Sequence, residues 1–175
     1  MANKAHRDAD QKEAEWDQDR SKITFKSTAL SVVWGNDNRY WRLVKKNEEP
    51  TVLELVQVCW LEVTGSTTVE AGKKYQVSFT VSLKPDAFGW NGCPVFMMAK
   101  VGRKGKYSWK KIKALEKADF GSNSIQIPDH DGNKLVIEVE PTAEDRQLYF
   151  GLYEVWSGKW KGGLEIHNAI VRIVS

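Results

Sequence analysis

The sequence predicts an all-β protein, an antiparallel β-sandwich or a jelly roll, from three observations. Apolar residues recur with a period of two along most of the chain, the spacing at which strand side chains return to one face. Clusters of Gly, Asn, Asp and Ser separate these stretches at short intervals, as turns between strands do. Apart from one stretch, residues 108–120, nothing carries the apolar period of an amphipathic helix. At 175 residues, the chain can bury one sizeable core.

Residues 1–21 are polar and charged, and are expected to form a flexible or short helical tail outside the core, anchored by Trp16. Residues 22–175 read as one domain. Ser31–Trp34 opens as a strand, breaks at Gly35-Asn36-Asp37-Asn38 and turns aromatic again at Tyr40-Trp41. VLELVQVCWLEV, residues 52–63, reads as a longer, more buried strand, with a turn at Gly65-Ser66 and another at Ala71-Gly72. YQVSFTVSL puts Tyr75, Val77, Phe79, Val81 and Leu83 on one face and Gln76, Ser78, Thr80 and Ser82 on the other. Phe88–Gly92 is a turn. SWKKIKALEKADF, residues 108–120, fits a short helix or a basic strand and loop. KLVIEVE groups Leu135, Ile137 and Val139, and Asp131-Gly132-Asn133 before it is a turn. QLYFGLYEVW groups Leu148, Phe150 and Leu152, with Glu154 at the far end of that face. After a turn at Gly162-Gly163, EIHNAIVRIV closes the chain as a long strand. The total is eight to ten strands, and period alone does not choose between sandwich and jelly roll.

Composition narrows the function. Hydrophobic residues are 41% and charged residues 28%, an ordinary globular balance. No apolar run approaches the ~18 residues of a membrane span. The charged N-terminus lacks the apolar core of a secretory signal, so a cytoplasmic location is expected, with the nucleus as a second destination. A net charge of +3 does not demand a nucleic-acid partner. Cys59 and Cys93 form no C-x-x-C and no metal cluster, and no cofactor is implied.

Catalytic motifs are missing. The three histidines, His6, His130 and His167, fall in the tail, a turn and the last strand. There is no G-x-S-x-G. Glu62, Glu138 and Glu154 could supply a carboxylate pair, but strand glutamates usually form a solvated face. DHDGN, residues 129–133, has neither the spacing nor the later Glu of a calcium loop; a hairpin turn explains it. The basic stretch 100–113 interleaves Lys and Arg with Tyr107 and Trp109, a pattern that suits either RNA or a solvated loop.

Tryptophan is the unusual feature, at eight residues. Trp34 and Trp41 flank a polar turn, Trp90 sits in the Gly-rich FGWNG, and Trp156 and Trp160 flank SGK. Tryptophans at loop tips expose apolar surface that a partner can cover. The neighbouring Asn36, Asp37 and Asn38 offer donors and acceptors. Apolar rings beside amides and carboxylates suit a sugar, whose C–H face packs on an indole while its hydroxyls seek hydrogen bonds. The alternative is that Trp34 and Trp41 are strand-end core residues.

At LSVVWGNDNRYWR the sequence resembles the phloem protein 2 family, the Nictaba-related plant lectins. LELVQVCWLEVTG (residues 53–65), YQVSFTVSLK (75–84) and LYFGLYEVWSGKWKGGLEIHNAIVRI (148–173) resemble further blocks of that family, so the resemblance spans about residues 22–175, and the short tail and compact length look most like the small cucurbit phloem lectins. The resemblance implies a jelly-roll lectin of cytoplasm, phloem sap and nucleus, generally a homodimer. It implies binding of chitooligosaccharides, oligomers of N-acetylglucosamine, and of the chitobiose core of N-glycans. It assigns binding roles to Trp34, Trp41 and Glu154, and places Gln147 where the family has a second acidic residue. The turn Asn36-Asp37-Asn38 is expected, with Glu154, to bind hydroxyl or N-acetyl groups, and Trp90 and Trp160 are expected to extend the groove to further sugar units. Phloem filament proteins, crosslinked through cysteines, and RNA are the other implied partners. Cys59 is expected to be a buried strand residue and Cys93 the exposed thiol.

Overall fold

The computed structural model describes residues 5–45, 51–113, 115, 123–128 and 134–174. In chain order the strands are β1 (Ala14–Trp16), β2 (Lys22–Lys26), β3 (Ser31–Val32), β4 (Trp41–Val44), β5 (Val52–Leu55), β6 (Leu61–Thr68), β7 (Lys74–Phe88), β8 (Phe96–Val101), β9 (Ser108–Lys111), β10 (Ile125–Ile127), β11 (Leu135–Glu138), β12 (Gln147–Glu154) and β13 (Gly162–Val174).

They form two antiparallel sheets around one core. In the first, β13 pairs with β7 along one side and with β2 and β5 on the other. β1 extends it beyond β2, β4 beyond β5, and β10 and β11 beyond β7. The second sheet has the order β3-β6-β12-β8-β9. The body is therefore β2-β13-β7-β11 packed on β6-β12-β8-β9. The chain crosses between sheets as it goes, and its first and last body strands pair. That wrapping is a jelly roll.

Several local expectations change. The stretch 52–63 is two strands, because the chain crosses from the first sheet to the second at residues 56–60. Gly65-Ser66 lies inside β6 rather than in a turn, and Gly162-Gly163 opens β13. Gly163 has φ +84° beside a register shift, a bulge that re-aims the strand. Of residues 108–120, Ser108–Lys111 form a strand, while 114 and 116–120 lie outside the described residues, as does the DHDGN turn.

Residues 5–21 do not hang outside the fold. β1 pairs with β2, and Ala14 and Trp16 pack on the core. Arg7 and Val32 exchange backbone hydrogen bonds of 2.9 Å. The segment reads as a polar tail because edge positions leave most of its side chains in water.

At the centre of the core the Phe150 ring meets Phe25 and Phe79 edge-on, at 5.0 and 5.8 Å between centroids. The two partners come from the first sheet and Phe150 from the second, so this contact joins the layers. Gly65 opposes Phe150 across β6–β12. A Cβ on Gly65 would lie 2.5 Å from Phe150 Cζ. The ring fills the space that the missing side chain leaves. Gly65→Ala should therefore destabilise by about 1–3 kcal/mol in urea unfolding. Because the clash is with the ring, the cost should shrink in a Phe150→Leu background, and an additive double mutant would refute the contact.

Candidate functional site

The period that places Glu154 with Leu148, Phe150 and Leu152 carries its carboxylate into the protein. Glu154 and Lys161 are both fully buried, with Nζ 3.0 Å from Oε1. The ammonium also donates to the carbonyls of Cys59 and Lys159, each at 3.0 Å, which uses its three protons. Glu154 Oε2 accepts the N–H groups of Trp156 (3.0 Å) and Ser157 (3.1 Å), and Oε1 accepts the Ser157 hydroxyl. Burial pushes the Glu154 carboxyl up. The bonds from Ser157, Lys161 and Trp156 outweigh that and bring it down to about 2.

This pair ties three loops together. Lys161 and Val58 exchange backbone bonds of 2.9 and 3.0 Å. The Trp90 indole donates to the Gly162 carbonyl at 2.9 Å. The Cys93 sulfur lies 2.9 Å from the Gly89 carbonyl and 3.5 Å from Glu154. Gly89, at φ +85°, lets the 89–95 loop approach closely: a Cβ there would fall 2.1 Å from the Trp160 carbonyl.

Beside this knot stands a row of aromatic rings. Trp34 takes φ +65°, a left-handed conformation that costs a bulky residue about 1–3 kcal/mol. Its N–H donates to His6 Nδ1 at 3.0 Å, and its indole is 40% exposed. Trp34 meets Tyr40 edge-on at 5.9 Å, and Tyr40 stacks on Trp160 at 6.4 Å with 26° between planes. Trp160 is 50% exposed. Arg39 lies 5.2 Å from the Tyr40 ring and grips Asp37 through Nε (3.0 Å) and Nη2 (2.7 Å). Those bonds hold the Asp37 carboxyl below the usual carboxylate range.

The sequence-predicted residues divide sharply. Trp34, Asn36, Asn38 and Trp160 lie exposed at this end. Asn36 donates its side-chain N–H to the His6 carbonyl at 3.2 Å. Trp41 and Trp90 are corrections: each is 1% exposed and belongs to the core. Trp41 is the first residue of β4 and faces inward, and Trp90 folds under its loop to reach Gly162. Neither offers a face to a ligand. Glu154 is a correction as well, since its oxygens are filled by internal partners; it positions the loop. Gln147 bonds Thr68 at the other end of β12, about 23 Å from Glu154 by strand rise. The cysteines reverse: Cys93 is buried, and Cys59 is half-buried outside any strand.

Sequence reasoning missed Tyr40, Arg39 and His6. Tyr40 was in view beside Trp41, but which of two adjacent aromatics faces outward depends on where β4 begins. His6 lies in a segment whose docking no periodicity reveals.

Glu154→Gln should destabilise by about 3–5 kcal/mol, because it leaves the Lys161 charge buried and uncompensated. Glu154→Gln with Lys161→Met should recover much of that loss in urea unfolding. The acid dependence follows in sign. The folded value of about 2 lies below the ~4.3 of an unfolded glutamate, so the unfolded chain takes up the proton first. This stabilisation is complete above pH ~4.3 and is lost as pH falls through about 2. Urea midpoints measured down that range should show a larger loss in wild type than in the double variant, which keeps the other low carboxylates such as Asp37.

Residues 20–173 match the family model "Phloem protein 2". Protein PHLOEM PROTEIN 2-LIKE A9 of Arabidopsis thaliana is 46% identical, over 97% of this chain and 97% of the relative. A protein named Lectin from Luffa acutangula is 36% identical over 35% of this chain and 32% of its own length. Among solved structures, the C-terminal CBM6 of LamC from Zobellia galactanivorans superposes with a TM-score of 0.49 at 9% identity, covering 86% of this chain and 98% of that one. With a family model spanning nearly all of its residues and a full-length relative at this identity, the chain belongs to the phloem protein 2 family.

Proposed function

We propose that the protein is a carbohydrate-binding lectin, with no catalytic role, whose ligand is an oligomer of β-linked N-acetylglucosamine, free or as the chitobiose core of an N-glycan. The observation that carries this reading is the row in which half-buried Tyr40 links exposed Trp34 and Trp160, with Trp34 held in a strained backbone conformation. Strain persists where the surroundings impose it, and it clusters at ligand sites. The Luffa relative named Lectin supports the same class. The exposed rings of Trp34 and Trp160, on either side of Tyr40, would each take the C–H face of a pyranose unit. Asn36, Asn38 and the Asp37–Arg39 pair would meet hydroxyl and N-acetyl groups at the rim.

An open row of this kind should bind chitotriose at about micromolar level, near −8 kcal/mol. Homodimers, in phloem sap or cytoplasm, would gain avidity for polymeric chitin without new contacts. In a calorimetric titration, Trp34→Ala and Trp160→Ala should each weaken chitotriose by about tenfold or more, ~1.4 kcal/mol. Trp41→Phe, a core change, should leave affinity within about twofold. Unchanged affinity in both alanine variants would remove the row from the site.

The hairpin β8–β9 favours a second reading, RNA binding. Trp109 is 60% exposed there, beside exposed Arg103, Lys104 and Lys106. Backbone-tracking cations with a stacking ring suit single-stranded RNA. That binding should fall steeply with salt, whereas chitotriose affinity should barely change; a salt series on each ligand separates the two.

A further inference from the structure

The outer face of the second sheet carries a second cleft, away from the aromatic row. Along β12, Tyr149, Gly151 and Tyr153 alternate onto this face. The register sets Ser66 opposite Tyr149 and Thr64 opposite Gly151. A cleft of ≈ 210 Å³ opens here, lined by Gln11, Thr64, Ser66, Tyr107, Tyr149 and Tyr153. One wall is the N-terminal segment, with the Ala9 N–H donated to Ser31 Oγ at 3.1 Å. Tyr107, from the connection between β8 and β9, and Tyr153 also line the cleft.

Two features distinguish this cleft from an ordinary solvated sheet face. The first is the glycine. A Cβ on Gly151 would lie 2.8 Å from the Tyr153 ring and 2.9 Å from Thr64 Cγ2, so its absence lets the ring lie down across the strand. The second is chemical. Among the described residues, none that lines the cleft is charged, and Glu62, opposite Tyr153 in the register, accepts the Trp60 indole N–H at 3.1 Å. The nearby Lys100 ammonium donates to the Arg103 carbonyl at 2.9 Å and sits over the Tyr107 and Tyr149 rings, at 4.8 and 5.7 Å. Aromatic faces, hydroxyls and one amide, without a free charge, make a surface for an uncharged ligand with an apolar face and many hydroxyls. A pocket with a few convergent polar groups on an apolar base has the general form of a ligand site.

We propose that this cleft is a second sugar-binding site, which takes a neutral pyranose unit of a glycan. The sugar ring lies against Tyr149 and Tyr153, and its hydroxyls pair with Thr64, Ser66, Tyr107 and Gln11. The inference shares its ligand class with the proposed function but none of its residues. Two sites on one chain make a single molecule bivalent, so it can bridge glycans without a partner subunit.

The test is an NMR titration of the full chain, with chitotriose and cellotriose as separate probes. The amides of Thr64, Ser66 and Gly151 report the sheet face, and the indole N–H groups of Trp34 and Trp160 report the row. The expected result is that both groups shift with separate saturation curves for at least one probe. Trp160→Ala should weaken the row's response, read at the Trp34 indole, by about tenfold or more and spare the sheet face. Tyr107→Ala with Tyr149→Ala should weaken the sheet-face response by about tenfold or more and spare the row; amide spectra of the unliganded variant show that it is folded. If the row responds and the sheet-face amides stay fixed, or respond only through Trp160, the second site is refuted and the first reading stands. If only the sheet face responds, the first reading falls and this one stands. If neither group responds to either probe, both fall.

Discussion

The buried Glu154–Lys161 pair is the constraint on which the loop end of the sandwich depends. A charge removed from water is costly unless it is paired and its remaining bonding capacity is filled. Here the filling groups come from residues 58–59, 89–93 and 155–161. A loop that moved away would strip a bond from a charge with no water to replace it. The electrostatic requirement therefore becomes a geometric one. It bears directly on Trp160, the neighbour of Lys161, which is displayed at a set position against Tyr40. A ring held in place before a ligand arrives spares the ordering cost of binding.

The tryptophans divide between two jobs that look identical in composition. Trp41 and Trp90 fill the interior, and Trp90 finds a carbonyl for its indole N–H. Trp34 and Trp160 stand in water with one flank covered by Tyr40. Trp109 and Trp156 do the same around Phe96, which each meets edge-on, at 5.4 and 5.3 Å. Exposed rings that lean on one another keep a rigid apolar face available at low entropic cost. This shared support is what makes the Trp34–Tyr40–Trp160 row a credible surface for a sugar.

The N-terminal segment touches both the aromatic row and the tyrosine cleft. His6 accepts the Trp34 N–H and so holds the strained turn. A few residues on, Ala9 and Gln11 border the tyrosine cleft. Most of this stretch precedes residue 20, where the family match begins. This segment therefore borders both of the surfaces proposed to bind glycans.

Much of the fold was legible in the chain. Alternation marked β7, β11 and β12, because the period of a strand is fixed by its covalent geometry, while β13, more buried, was legible only as a longer apolar strand. The displayed Trp34 and Trp160 were legible from their loop settings. The misplaced residues share a cause. Trp41 and Trp90 look like loop tips until the start of β4 and the path of residues 89–95 are known. Glu154 looks like a ligand residue until Lys161, Ser157 and the Trp156 N–H are seen to fill it. Gly65 looks like a turn until the Phe150 ring appears across the strand. The sequence by itself determined the β architecture, the family and the stock of aromatic residues. Tertiary structure alone decided which rings face water and which carboxylate is already satisfied, because both depend on partners distant in the chain that no local period encodes.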